Sequence, residues 1–234
     1  MKRIFFIAAA LINLGSITTN LQAEHQAAHH SASTITPEQA LELLKQGNNE
    51  FTNKEAPRLC LSITEADRQA VAGGQKPFAI IVGCSDSRVP PELVFEELGL
   101  GKLFVIRNAG NVVDDVTMGS IEYAVEHLGV PLIVVLGHQK CGAVTASVAA
   151  KLSGETVPDH IANIVEKITP SLGRVTKNTP EVVQRAVEQN ALYEAKKLIR
   201  QSPVVREAVH NGTVKVVSAW YSLDDGKFNL INVK

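Results

Sequence analysis

Short uninterrupted apolar runs punctuate the chain at Phe78 to Gly83 (FAIIVG), Leu103 to Ile106 and Leu132 to Gly137 (LIVVLG). Each is too short for a helix and too continuous for a half-exposed strand, so each reads as a strand buried on both faces of a parallel sheet. Val214 to Trp220 and Phe228 to Val233 are two later strand candidates. Between the runs lie helical patterns at Thr117 to Leu128, Ala143 to Leu152, His160 to Ile168, Pro180 to Arg200 and Pro203 to His210. An earlier helix opens at Thr36-Pro37-Glu38-Gln39, where Thr36 can cap, Pro37 suits the first turn and Gln39 stands at the capping-box position. Leu41, Leu43, Leu44 and Phe51 give it an apolar stripe, and it ends near Gly47 or runs on toward Thr52. Residues 56 to 76 read as a loop with a short helical piece. Strands alternating with helices predict an α/β fold: one domain over residues 35–234, a mainly parallel central sheet flanked by helices, and an N-terminal helical arm.

The first 23 residues break this pattern. Met1-Lys2-Arg3 precedes an uncharged apolar run, Ile4 to Ile12, and small and polar residues follow to Ala23. A basic start, a short apolar middle and a small residue at the end describe a secretory signal peptide, here 1–23. The continuous apolar part is too short to span a bilayer core of about 30 Å, so no stable membrane insertion is expected after cleavage. Residues 24–34 (EHQAAHHSAST) are small and polar and read as a flexible linker. Export predicts a periplasmic or secreted protein, in a compartment that favours disulfides. The whole chain holds three cysteines, too few for a disulfide-stapled fold.

Composition narrows the function classes. Of 234 residues, 45% are hydrophobic and 20% charged, which excludes a disordered chain and a coiled coil. Lys plus Arg number 23 against 24 Asp plus Glu, with no basic run, so nothing suggests a nucleic-acid partner.

In an open α/β sheet, ligands bind at the carboxyl ends of the strands. Two predicted strand ends carry unusual residues: Gly83-Cys84-Ser85-Asp86-Ser87-Arg88 and Gly137-His138-Gln139-Lys140-Cys141-Gly142. Cys84, His138 and Cys141 make a set spaced C-x53-H-x2-C. Two thiolates and an imidazole suit zinc, one ion per chain, and three protein ligands with an open position is the catalytic arrangement. Asp86 could fill the fourth position. Arg88 could equally hold that carboxylate as a bidentate partner and leave the position to water. A Cys84–Cys141 disulfide is the rival, but it leaves His138 and the Asp86/Arg88 pair without a purpose. Singly, a strand-end Cys is a small buried hydrophobe and Ser-Asp-Ser is turn chemistry; two complementary strand ends together argue for a site.

These residues resemble the β-class carbonic anhydrases. Cys84-Ser-Asp-Ser-Arg88 followed by His138-x-x-Cys141-Gly142 carries the resemblance, as do Arg107-Asn-Ala-Gly-Asn111 and Ser120-Ile-Glu-Tyr-Ala-Val125. It is strong from about Gly73 to Lys151 and weaker on to Val233. It implies zinc-dependent interconversion of carbon dioxide and bicarbonate, a last strand that runs antiparallel, and a homodimer or homotetramer. Zinc brings the pKa of a bound water toward neutrality. Two thiolates weaken that effect relative to imidazoles, so help from neighbouring groups is expected. Asp86, held by Arg88, would orient the nucleophilic hydroxide toward carbon dioxide; released, it would close onto the metal, as in some family members.

The resemblance also implies substrate-binding roles for Gln75, Phe104 and Tyr123, often supplied by the facing subunit. Gln75 would donate to a bicarbonate oxygen and Phe104 would wall an apolar slot. The N–H of Gly142, at a helix start, could meet an anion. Members inhibited by bicarbonate at a separate site carry Trp three residues before the first Cys; Ile81 stands there, so no such site is expected, although Arg107 is present. His127 and His160 are conceivable proton carriers, and Cys60 is expected to be inert. Hydrolysis of carbon disulfide or carbonyl sulfide on the same site is the nearest competing activity, and a non-catalytic zinc module is the competing class. The latter should have lost Asp86 or Arg88, and both are present. A thiol oxidoreductase would want C-x-x-C and a dinucleotide enzyme G-x-G-x-x-G, and neither occurs.

Overall fold

The computed structural model describes residues 35–53, 63–97 and 99–231. The expected signal peptide and linker, Cys60 and the last part of the final strand lie outside the described residues. The three apolar runs form parallel strands β1 (Ala79–Cys84), β2 (Leu103–Asn108) and β3 (Leu132–His138). Strand β4 (Lys215–Tyr221) extends them in parallel, and β5 (Phe228–Ile231) pairs antiparallel with β4. The sheet order is β2-β1-β3-β4-β5. From β1 the chain crosses outward to β2, then returns to the other side of β1 as β3. The carboxyl ends of β1 and β3 therefore flank the crevice where such sheets bind ligands.

Eight α-helices are described: α1 (Pro37–Thr52), α2 (Glu65–Val71), α3 (Pro91–Val94), α4 (Asp115–Leu128), α5 (Gly142–Ser153), α6 (Ile161–Ile168), α7 (Pro180–Gln201) and α8 (Pro203–His210). Alternate residues of β1 and β3 feed two cores. Ile81, Val134 and Leu136 pack with α1, α5 and the start of α7. Ile80, Val82, Ile133 and Val135 pack on the opposite face with α4, α8 and the rest of α7. This is why β1 and β3 are buried at every position and show no polar alternation. Strand β2 is only half buried, against the expectation from its apolar run, because it is the edge of the sheet.

The helical arm runs through Gly47 to Thr52 rather than stopping there. A Cβ on Gly47 would lie 1.8 Å from the carbonyl oxygen of Phe95, so this glycine serves a close helix contact and not a helix end. Helix α4 starts two residues earlier than its apolar pattern suggests, because the Asp114 side chain accepts from the Thr117 N–H and caps it. The short α3 after Val89-Pro90 was not legible in the periodicity.

Candidate metal centre

Cys84 ends β1, His138 ends β3, and Cys141 is the N-cap residue of α5, reached through the turn Gln139-Lys140. Lys140 adopts φ +57, the left-handed bend that returns the chain to the sheet so quickly. Their ligand atoms lie within 4.8 Å of one another. All three are at most 6% exposed. The two sulfurs stand 4.0 Å apart, and Cys84 and Cys141 are both free thiols. Two Zn–S bonds of about 2.3 Å at a tetrahedral angle would set sulfurs about 3.8 Å apart, so the pair has the spacing of metal ligands and the disulfide alternative is not realised.

Local hydrogen bonds fix the donor atoms. His138 Nδ1 lies 2.9 Å from the Gln139 carbonyl oxygen. A carbonyl can only accept, so Nδ1 carries the proton and Nε2 presents its lone pair. That Nε2 is buried and has no hydrogen-bond partner among the described residues. A buried lone pair beside two sulfurs is the donor set a soft divalent cation completes.

The thiols are an asymmetric pair. The hydrogen bond from Cys141, with smaller contributions from His138 and from the Gly110 N–H at 3.4 Å, holds the Cys84 thiol below its ordinary range against the opposition of burial. The Cys84 sulfur and burial push the Cys141 thiol far above its ordinary range. Of the two sulfurs, Cys84 is thus the readier to ionise.

Asp86 faces the cluster from the turn after β1. Arg88 grips it at both oxygens, Nε to Oδ1 at 2.9 Å and Nη2 to Oδ2 at 2.6 Å, and the Arg88 backbone N–H adds a third bond to Oδ1 at 3.0 Å. This guanidinium holds the Asp86 carboxyl well below the usual carboxylate range. Arg107, at the end of β2, donates from Nε to the Cys84 carbonyl at 2.9 Å and from Nη2 to the Asp86 carbonyl. It braces the loop that carries both residues, a role its position in the sequence did not reveal.

The outer set is scattered. Gly142 opens α5 next to Cys141, with open space where a Cβ would stand. Gln75 is exposed and precedes the start of β1, at the opposite end of the strand from Cys84. Phe104 pairs in register with Ile80, four residues before the Cys84–Asn108 level, and packs against the core beneath α4. Tyr123 is 50% exposed on α4, its ring 5.1 Å from that of His127. The chain brings Cys84, His138 and Cys141 together with Asp86, Arg88 and Gly142, and leaves Gln75, Phe104 and Tyr123 elsewhere. Sequence reasoning missed the buried polar residues behind the cluster, Asn190 and Glu194 of α7 and Ser171; an Asn and a Glu four apart on an otherwise apolar helix face were the available signal.

A family profile described as carbonic anhydrase matches residues 79–228. Carbonic anhydrase 2 of Mycobacterium tuberculosis is 41% identical over 195 residues, covering 82% of this chain and 91% of that protein. Among solved structures, a β-carbonic anhydrase of Coccomyxa in complex with acetazolamide aligns with a TM-score of 0.62 at 26% identity, over 85% of this chain and 87% of its own. A tetrameric β-carbonic anhydrase of the ascomycete Sordaria macrospora aligns with a TM-score of 0.62 at 28% identity, over 70% and 85%.

Proposed function

We infer the reaction from one premise: the chain belongs to the β class of the carbonic anhydrases. We propose that it binds one zinc ion through Cys84, His138 and Cys141 and catalyses the reversible hydration of carbon dioxide to bicarbonate and a proton. The observation that carries this is the buried, unpartnered Nε2 of His138 beside two free thiols, with an ionised carboxylate 3.8 Å away. When bound, zinc supplies a Lewis acid that makes water a nucleophile near neutral pH.

The protein residues supply orientation. Asp86 is ionised and gripped by Arg88, so Oδ2 accepts a hydrogen bond from the attacking water and directs a lone pair at the carbon of the substrate. Because Arg88 occupies Asp86 and Arg107 braces the backbone beneath it, the carboxylate is kept back from the ligand atoms. Burial of the cluster excludes bulk water and strengthens these electrostatic contacts. Product bicarbonate would meet the N–H of Gly142, an exposed residue at the start of α5.

Gln75, Phe104 and Tyr123 lie away from their own chain's cluster, and we propose that they complete the site of a neighbouring copy in a homodimer or homotetramer. A tetrameric relative supports an assembly of this kind. Export rests on the basic start and apolar run of residues 1–23, and places the reaction in the periplasm or outside the cell. Among the described residues no helix is long and apolar enough to cross a membrane.

Stopped-flow carbon dioxide hydration at pH 7 and pH 8.5, with zinc measured on the same sample, tests the reading. One zinc per chain with fast hydration is expected. One zinc without hydration at either pH would overturn the activity.

A further inference from the structure

Gly110 sits in a 3-10 turn (Ala109–Asn111) at the back of the cluster, with φ +74 and ψ +20. It is buried, and a Cβ there would lie 2.6 Å from Ile168 Cδ1 and 3.3 Å from Ala143 Cβ. Its N–H donates to Cys84 Sγ at 3.4 Å. Glycine is the residue least able to hold its own flanking peptides still. Something else must hold them.

That group is Asn190, at the middle of α7. Asn190 is fully buried, and its Nδ2 donates to the Gly110 carbonyl at 2.8 Å. The carbonyl can only accept, which fixes the amide's orientation and turns Oδ1 toward the Ser171 hydroxyl, 3.0 Å away. Ser171 is itself buried, and its single hydroxyl proton is shared between Asn190 Oδ1 and the Ile168 carbonyl, 2.7 Å away. One turn further along α7, Glu194 accepts the Val113 N–H at 2.9 Å, just past the same segment. Helix α7 thus reaches the 110–113 segment with two buried polar side chains spaced four residues apart.

We propose that Asn190 is a positioning residue for the metal centre: by fixing the Gly110–Asn111 peptide from behind, it restrains the turn whose Gly110 N–H donates to the Cys84 sulfur. The physical need is specific to a two-thiolate site. Thiolates donate charge to a cation and weaken it as a Lewis acid, and an N–H donated to sulfur draws part of that charge back. The same bond holds the sulfur in the geometry that the cation requires. Asn190 touches neither substrate nor ligand atom; it acts through Gly110.

This inference rests on the metal reading of Cys84, His138 and Cys141, and the test separates the two. The purified full chain is loaded with Co2+ for the thiolate-to-metal charge-transfer band, and zinc affinity is measured by competition with a chromophoric chelator. Wild type, Asn190→Ala, Ser171→Ala and Leu198→Ala are compared. Leu198 is also fully buried on α7, in the apolar core on the sheet face beneath α4 and α8, so it controls for general loss of packing. Asn190→Ala is expected to shift the Co2+ band and weaken zinc binding about 10- to 100-fold, the usual effect of losing a partner behind a ligand. Ser171→Ala is expected to act in the same direction by a smaller factor, and it carries the test if Asn190→Ala does not fold. Leu198→Ala is expected to lower the unfolding midpoint and leave band and affinity unchanged. Wild-type band and affinity in Asn190→Ala and Ser171→Ala would overturn the role, as would an equal loss in Leu198→Ala. A wild-type chain that takes up no Co2+ would instead overturn the metal reading itself.

Discussion

Asp86 Oδ2 stands 3.8 Å from His138 Nε2. It is close enough to reach a water on an ion that Nε2 would hold, and is restrained from the ligand atoms by the Arg88 grip on both its oxygens. The relationship depends on the carboxylate being charged and oriented, not on its bulk. Asp86→Asn keeps the shape and loses the bidentate ion pair. It is expected to retain zinc and to lower carbon dioxide hydration by about 100-fold or more, in the range measured when one preorganised group is removed from a reacting centre. Hydration rates measured beside zinc content check this, and full activity in the variant would remove Asp86 from the mechanism.

The apo thiol pair makes a second prediction. The Cys84 thiol, held below its ordinary range chiefly by the hydrogen bond from Cys141, is the one ionised in the pair. The Cys141 thiol, raised by its bond to Cys84 and by burial, is not. Zinc requires both as thiolates. Zinc uptake should therefore draw about one proton from the thiols, beside what a zinc-bound water gives up near neutrality. Titration calorimetry in two buffers of different ionisation enthalpy, repeated at about pH 6 where that water keeps its protons, counts it; two protons per zinc there would show that both sulfurs are protonated before the ion arrives.

Much of this was readable in the chain because the site sits where the fold's rules put it. Cys84 and His138 end the two buried strands that flank the crevice, and both strands announced themselves as apolar runs too short for helices. Cys141 follows within a turn. What stayed hidden depends on packing between distant segments. The meaning of Gly47 as a helix contact needed Phe95, which lies on the far side of α3. The bracing by Arg107 needed the register that sets Cys84 beside Asn108. Asn190 and Ser171 look like ordinary polar residues until the 3-10 turn at Gly110 is placed against them. Gln75, Phe104 and Tyr123 were legible as family positions, but a single chain gives them no common site.

The tight packing at Gly110 is measurable as stability. Gly110→Ala places a methyl 2.6 Å from Ile168 Cδ1, on a backbone with positive φ. Ile168 is fully buried. The variant should lose about 1–3 kcal/mol, the usual cost of overpacking. Ile168→Val removes the colliding Cδ1, and alone should cost about 0.5–1.5 kcal/mol. The double variant should be more stable than the two losses added together. Urea unfolding of all four proteins decides it, and strict additivity would mean that the two groups do not meet.

Glu194 offers a pH signature separate from the metal. It is fully buried on α7, its Oε2 accepts from Val113 N–H and from Lys197 Nζ at 3.1 Å, and its Oε1 has no partner among the described residues. Burial raises its carboxyl above the ordinary value, against the pull of the Val113 bond and of Lys197. A raised carboxyl favours the folded state while it is protonated. That contribution is complete below the unfolded value of about 4.3, and it is lost as pH rises through the raised folded value. Glu194→Gln keeps the acceptor for Val113 and cannot titrate. The stability of the natural protein relative to Glu194→Gln should therefore fall as pH rises from the ordinary carboxylate range, then level off. Urea midpoints of both proteins between pH 4.5 and pH 8 would show the gap moving in favour of the glutamine variant. A gap that moves toward the glutamate as pH rises would mean that the Lys197 ion pair outweighs burial.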